Sequence, residues 1–166
     1  LANTSRTDVG HKIAYYYGYK TDGIFHTQEE LDAYSTTVDG KKTPIQPNAQ
    51  VGDVKFVDLN KDGKIDASDL TYLGSYMPDF TGGLNISMSY EGFDMSVFSD
   101  FSYGAEIANM TTYDLRSSLM NKNILSSYYQ NRWTPDTPNN NQPRLTASAA
   151  YKDNAQFSDR YIESGN

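Results

Sequence analysis

Apolar and polar residues alternate along one stretch of this chain with a regularity not matched elsewhere in it. Leu84, Ile86, Met88 and Tyr90 are separated by Asn85, Ser87 and Ser89. After Glu91-Gly92 the pattern resumes, with Phe93, Met95 and Val97 set against Asp94 and Ser96, and Phe98 out of step. Successive side chains of a strand point to opposite faces. A period of two over this length therefore predicts two strands of about ten residues joined by a two-residue turn. One face of that hairpin is apolar and the other is small and polar.

Elsewhere the pattern is weaker. GHKIAYYYGYKTDGIF (Gly10–Phe25) reads as Tyr-rich strand broken by a turn near Asp22-Gly23. TQEELDAY opens with a capping box, in which Thr27 caps the N–H three residues on and Glu30 reaches back. It predicts a short helix from Gln28 to Tyr34. Val38–Asp53 contains Pro44 and Pro47 and is predicted as loop. Val54, Phe56 and Leu59 alternate into a short strand over Asp53–Leu59, and ASDLTYLG predicts a helical turn or two ended by Gly74. From Asn109 to Trp133, Leu115, Leu119, Leu125, Tyr128 and Tyr129 form an imperfect apolar stripe. That stretch is predicted as a helix capped by Thr111 and stopped by TPDTPNNNQP. Arg144–Asn166 is predicted as loop until its very end. There is no internal repeat.

Composition narrows the class. With 166 residues the chain has the length of one ordinary domain, and its 14 Tyr and 7 Phe against 37% hydrophobic residues favour strands and polar loops over a helical bundle. A formal charge of −7 argues against nucleic acid, whose phosphates need clustered Lys and Arg, and favours a cation as partner. The absence of Cys excludes disulfides, zinc thiolates and thiol catalysis. No stretch approaches the roughly 20 apolar residues of a membrane helix, and nothing at Leu1 resembles a signal peptide; membrane-crossing strands leave a weaker trace. His11 and His26 are isolated beside turns and are read as solvated. There is no nucleophile motif, phosphate cradle or carboxylate pair outside one loop, so the chain is read as not an enzyme.

That loop is DLNKDGKIDASD, Asp58–Asp69. Calcium takes six to eight oxygens, best supplied by acidic and amide side chains on alternate residues around a sharp glycine turn. Asp58, Asn60 and Asp62 stand at loop positions one, three and five, with Gly63 at six. Lys64 would offer its backbone carbonyl, Asp66 would act through water, and Asp69 takes position twelve, with Ile65 as the apolar anchor. The last ligand is Asp and not the Glu of EF-hands, which is the usage of dockerin-type loops. With Lys61 and Lys64 diluting the negative charge, the expected Kd is on the order of 10⁻⁴ to 10⁻³ M. The competing reading is an Asx-rich turn that holds itself together without metal. A single loop has no paired helices to open and close, so any calcium here is structural.

The hairpin also has two readings. Strands of this length match a tilted bilayer crossing, with Tyr90 and Phe93 where an interfacial aromatic girdle belongs, and they equally match a soluble hairpin resting one face on a core.

Taken in order, VGHKIAYYYGYKTDGIFHTQEEL, VGDVKFVDLNKDGKIDASD, MPDFTGGLNISMSYEGFDMSVFSDFSYG, NRWTPDTPNNNQPRL and SDRYIESGN resemble consecutive landmarks of the SusC/RagA family, the TonB-dependent transporters of the Bacteroidetes outer membrane. The resemblance spans nearly the whole chain. It implies a piece of a much longer protein, with a plug inside a barrel of about 22 strands. The fold implied is mainly β with short helices, part of a transmembrane antiparallel β-barrel with long extracellular loops, or α+β if folded alone. Residues 1–19 would be strand, 20–79 an extracellular loop with the calcium-like motif, 80–103 the β-hairpin, and 104–166 an extracellular loop with a helix. The function implied is TonB-energised uptake of a glycan or peptide, with a SusD-like surface lipoprotein as partner, outer-membrane lipid around the strands, and TonB engaged through the N-terminal part absent here. The alternative is a free-standing calcium-stabilised cell-surface binding module. An isolated chain is expected either to associate through Leu84, Ile86, Met88, Phe93, Met95 and Val97 or to fold that face onto its own loops and helix.

Overall fold

The computed structural model describes residues 4–116, 123–146 and 154–165. Its strands pair antiparallel throughout. β1 (Ser5–Arg6), β2 (Tyr15–Tyr19) and β7 (Leu70–Gly74) form one sheet in the order β1-β2-β7, and β3 (Thr21–Ile24) pairs with β6 (Val54–Phe56). β4 (Ser35–Val38) and β5 (Lys41–Pro44) make a small hairpin. β8 (Phe80–Tyr90) and β9 (Phe93–Tyr103) make a long one, and β10 (Glu106–Ala108) pairs with β11 (Ile162–Ser164). The helices are short: α1 (Gln28–Ala33), α2 (Met110–Arg116) and α3 (Ser126–Asn131).

α1 forms as the sequence predicts. Thr27 accepts the Glu30 N–H at 3.2 Å, and the Glu30 carboxylate reaches back to the His26 N–H at 2.7 Å. The predicted helix Asn109–Trp133 is not continuous: among the described residues α2 and α3 are helical and residues 123–125 are not, and residues 117–122 lie outside the described part. Its cap is Asn109 and not Thr111: the Asn109 side chain accepts the Thr112 N–H at 2.8 Å.

Three expectations give way. Leu70–Gly74 is a strand and not a helical turn, because only Ala67–Asp69 coils before Leu70 pairs with Tyr19. Val38–Asp53 is not all loop: Asp39 and Gly40 both take positive φ, the backbone of a tight hairpin turn, and Lys41–Pro44 runs back along β4. The Asp22-Gly23 dipeptide is not a turn. It lies inside β3, where the register with β6 shifts.

The core is built from Tyr15, Ile24, Phe25, Val54, Phe56, Tyr128, Phe157 and Tyr161. These come from β2, β3 and Phe25 directly after it, β6, α3 and the C-terminal stretch. The segments before and after the long hairpin therefore fold together. Tyr19 donates its N–H to the Phe157 carbonyl at 3.1 Å, and Thr21 donates its N–H and its hydroxyl to Asp159, the hydroxyl at 2.6 Å.

None of the core comes from β8 or β9, whose residues are exposed almost throughout. Direct cross-strand partners share a face. One face holds Phe80/Tyr103, Gly82/Phe101, Leu84/Ser99, Ile86/Val97, Met88/Met95 and Tyr90/Phe93; the other holds Thr81/Ser102, Gly83/Asp100, Asn85/Phe98, Ser87/Ser96 and Ser89/Asp94. The apolar face is not folded onto the loops or helices: Leu84 is 55% exposed and Ile86 50%.

Candidate functional site

β6 delivers the chain to Asp58, and Asp69 hands it to β7, so the predicted calcium loop hangs between two paired strands. The loop wraps around its own acidic side chains. Asp58 Oδ2 accepts the Gly63 N–H at 2.9 Å, Asn60 accepts the Asp62 N–H at 3.0 Å, and Asp62 accepts the Lys64 N–H at 3.1 Å. Fully buried Asp69 closes the loop, taking the Leu59 N–H on one oxygen and the Asp66 N–H on the other, both at 2.9 Å. Asp66 caps the helical turn through the Ser68 N–H. Gly63 sits at φ +85°, and a Cβ there would stand 2.5 Å from the Thr36 methyl of β4. The turn thus needs glycine both for its backbone and for its packing.

The charges are disposed unevenly. Lys64 Nζ lies 2.7 Å from Asp66 and 3.8 Å from Asp62, so a cationic side chain bridges two of the predicted ligands. That ammonium, helped by the Ser68 N–H, holds the Asp66 carboxyl down to about 2. Among the described residues no three acidic or histidine side chains converge on one point as they stand. Asp58 Oδ1 is the exception to this self-sufficiency, being buried without a hydrogen-bond partner. A buried carboxylate oxygen left bare is costly, and a cation is the partner it calls for. Asp58, Asn60, Asp62, the Lys64 carbonyl, Asp66 and Asp69 are an all-oxygen set, the chemistry a hard divalent ion takes.

Beside the loop lies a cavity of about 370 Å³ bounded by Tyr34, just past α1, and by β3, β4 and β6. Its wall includes Tyr34, whose hydroxyl donates to the Phe56 carbonyl at 2.6 Å and accepts the Asp58 N–H at 3.3 Å. Lys55 rests its ammonium 5.5 Å from the Tyr34 ring centre and 2.5 Å from Asp22.

The sequence offers no local sign of a second cluster. Asp53, 2% exposed, accepts two hydrogen bonds from Arg144, one from the Asn154 amide and one from the Gln50 N–H. These residues come from stretches about a hundred positions apart, which periodicity cannot join. His26 is not merely solvated either, since its Nδ1 lies 2.8 Å from the Pro138 carbonyl.

No family model matches the chain. It is 32% identical over 135 residues to the TonB-dependent receptor P3 of Formosa agariphila, covering 81% of this chain and 12% of that protein. It is 30% identical over 145 residues to the TonB-dependent receptor P26 of the same organism, covering 86% and 13%. The chain therefore spans about an eighth of the length of these relatives. A solved structure of the RagAB peptide transporter superposes on 99% of the chain and 16% of its own, with a TM-score of 0.59 at 19% identity, a likeness of fold.

Proposed function

We propose, from the premise that this chain is homologous to a segment of the TonB-dependent receptors of the SusC/RagA kind, that its parent is an outer-membrane importer. It takes up an oligosaccharide or peptide with energy delivered through TonB, and works with a SusD-like surface lipoprotein. The observation that carries this is the register of the long hairpin. From Phe80/Tyr103 to Tyr90/Phe93 one face is apolar and ends in aromatic residues on both sides. Ten residues at about 3.3 Å each give roughly 33 Å of strand, and a tilt near 40° reduces that to about 25 Å, the height of a barrel's lipid-facing band. The opposite face suits a watery lumen. Segments 20–79 and 104–166 then form the extracellular side. The alternative, a free-standing surface module, fits less well, because the relatives are receptors.

Deletion of the parent gene tests the reading. Growth lost on one class of oligomer, with growth on the corresponding monomers kept, supports an importer; unimpaired growth on both oligosaccharides and oligopeptides refutes it.

We also infer that the Asp58–Asp69 loop binds calcium through Asp58, Asn60, Asp62, the Lys64 carbonyl, Asp66 and Asp69. The bare Asp58 Oδ1 supports this. A bound ion would supply the missing positive charge and displace the Lys64 ammonium from between Asp62 and Asp66. The loop would then be pinned between β6 and β7. Titration calorimetry decides it, with no heat at millimolar calcium counting against the site.

A further inference from the structure

A second, smaller cavity of about 140 Å³ lies between the end of α2 and α3, lined by Arg116, Ser127, Tyr128, Asn131 and Gln142. α2 packs on the helical turn Asp159–Tyr161, with the Tyr113 ring edge-on to that of Tyr161 at 5.0 Å between centres. Arg116 follows Tyr113 by three positions and so shares that face of the helix. From the turn, Arg160 reaches the rim of the same cavity and donates Nη2 to Gln142 Oε1 at 3.2 Å. Two guanidiniums thus converge on one small space. That of Arg116 makes neither a hydrogen bond nor an ion pair among the described residues, and that of Arg160 makes only the bond to Gln142. Burial first, and Arg116 after it, press the Arg160 pKa below the ordinary arginine value, so its charge is held at a cost that a nearby anion would offset.

A half-buried arginine is usually paired with a carboxylate, yet none lines this cavity. Those on the surrounding elements are committed or turned away. Asp159 accepts the Thr21 N–H and hydroxyl, and Asp136 lies in the exposed turn between Thr134 and Thr137. Glu163 takes the Asn109 amide at the far end of α2, about 10 Å along the helix from Arg116, and Asp114 precedes Arg116 by two positions, about 200° around the helix axis. Arg132, the third cation here, is stacked on the Tyr129 ring. Three arginines against four carboxylates make no broad positive field, so selection falls to contact inside the cavity. An anion there meets the Arg116 fork, the Ser127 hydroxyl and Gln142 Nε2, the last oriented because Arg160 holds the other end of that amide. Charge-assisted bonds of about 2.8 Å to a guanidinium are strong, whereas carboxylates facing water are screened. The volume is well under the roughly 300 Å³ at which sites for larger organic ligands begin, so the group that enters is small. Its donors come from three separate elements and are more than the two coplanar oxygens of a carboxylate can use. We propose that this cavity binds a tetrahedral oxyanion, a sulfate or phosphate group, on Arg116, Ser127 and Gln142, with Arg160 positioning Gln142.

The experiment uses the parent protein in detergent micelles at constant ionic strength. Methyl sulfate, methyl phosphate and acetate are titrated by calorimetry. The expected result is saturable binding of at least one ester, with acetate about tenfold weaker. The tighter ester identifies the group. Arg116→Gln lowers its affinity about tenfold, and Arg116→Lys, which keeps the charge but loses the planar fork, lowers it several-fold. Arg116 has no partner within the fold among the described residues, so both variants should melt as wild type does. Lys41→Gln, which removes a cation from exposed β5, leaves the affinity unchanged. No saturable heat from either ester at tens of millimolar, acetate binding as tightly as the esters, equal affinity in wild type and Arg116→Gln, or an equal loss in Lys41→Gln overturns the proposal. The calcium and importer readings stand or fall separately from it.

Discussion

Arg144 clasps Asp53 from 91 positions further along the chain, its Nε 2.6 Å from Oδ1 and its Nη2 3.1 Å from Oδ2. Asp53 is almost wholly buried, and Asn154 and the Gln50 N–H take its remaining acceptor sites. The pair joins the segment before the long hairpin to the segment after it. Its desolvation is offset because every lone pair is used.

Removal of the arginine alone leaves that carboxylate buried without its counter-charge. Arg144→Met is expected to cost about 3–5 kcal/mol of local stability. The cost should appear as faster hydrogen exchange across β3, β6 and residues 154–161. Asp53→Asn combined with Arg144→Met removes both charges and recovers part of the loss. Equal exchange in wild type and Arg144→Met would show that the clasp holds nothing.

Asp62 and Asp69 are both predicted ligands, yet they should fail differently. Asp69 secures two backbone N–H groups from the interior of the loop, so Asp69→Ala strands both and destabilises the protein with or without calcium. Asp62 is partly exposed, so water can replace it on the Lys64 N–H that it accepts, and Asp62→Ala mainly removes an ion ligand. Wild-type protein should gain about 1.4 kcal/mol when free calcium is ten times Kd. In melting curves with and without calcium, Asp62→Ala loses that gain at an almost unchanged chelated Tm, and Asp69→Ala lowers both.

Gly63→Ala tests the turn. An alanine at φ +85° costs about 1–2 kcal/mol in backbone conformation, and the new methyl would overlap Thr36. Thr36→Ser removes the methyl but leaves the backbone strain. The double variant is therefore expected to melt between Gly63→Ala and wild type.

The Asp66 carboxyl, depressed by Lys64 and the Ser68 N–H, should stay ionised in the folded chain down to about pH 2. A depressed carboxyl contributes stability above its unfolded value, near 3.9, and that contribution is lost as pH falls through the folded value. Carbon-detected NMR of the Asp66 carboxyl should titrate well below an ordinary aspartate. In Lys64→Gln, which removes the larger cause, the midpoint should move back toward the ordinary value.

Much of this was legible locally. The long hairpin follows from a period of two and a Glu-Gly turn, and the self-bonded turn over Asp58–Asp69 from its alternating Asp and Asn residues around Gly63. The short hairpin was harder, because Pro44 argues against a strand. In an edge strand its missing N–H is harmless, and Asp39-Gly40 was the overriding signal. Leu70–Gly74 became a strand only because β2 lies beside it, which no local pattern encodes. The Asp53–Arg144 clasp and the Lys55 and Tyr34 wall depend on tertiary approach. Single polar residues in loops leave no periodic trace of it.

The hairpin faces permit a test that separates lipid from water with neighbouring residues. Ile86 and Ser87 are adjacent, both midway along β8, and stand on opposite faces. In the assembled parent, Ile86→Arg would place a charge at mid-bilayer, at a cost of about 2–4 kcal/mol, and Ser87→Arg would place the same charge in the lumen at little cost. Heat-modifiable mobility of the outer-membrane protein reports correct assembly. Ile86→Arg should reduce the folded fraction, and Ser87→Arg should leave it near wild type. Were this face packed on a soluble core, Ile86→Arg would also be damaging, but the purified parent would show no detergent or lipid bound around it. Equal tolerance of both substitutions would rule out a buried apolar face of either kind, because a lipid-facing strand and a core-facing one each distinguish the two sides of the pleat.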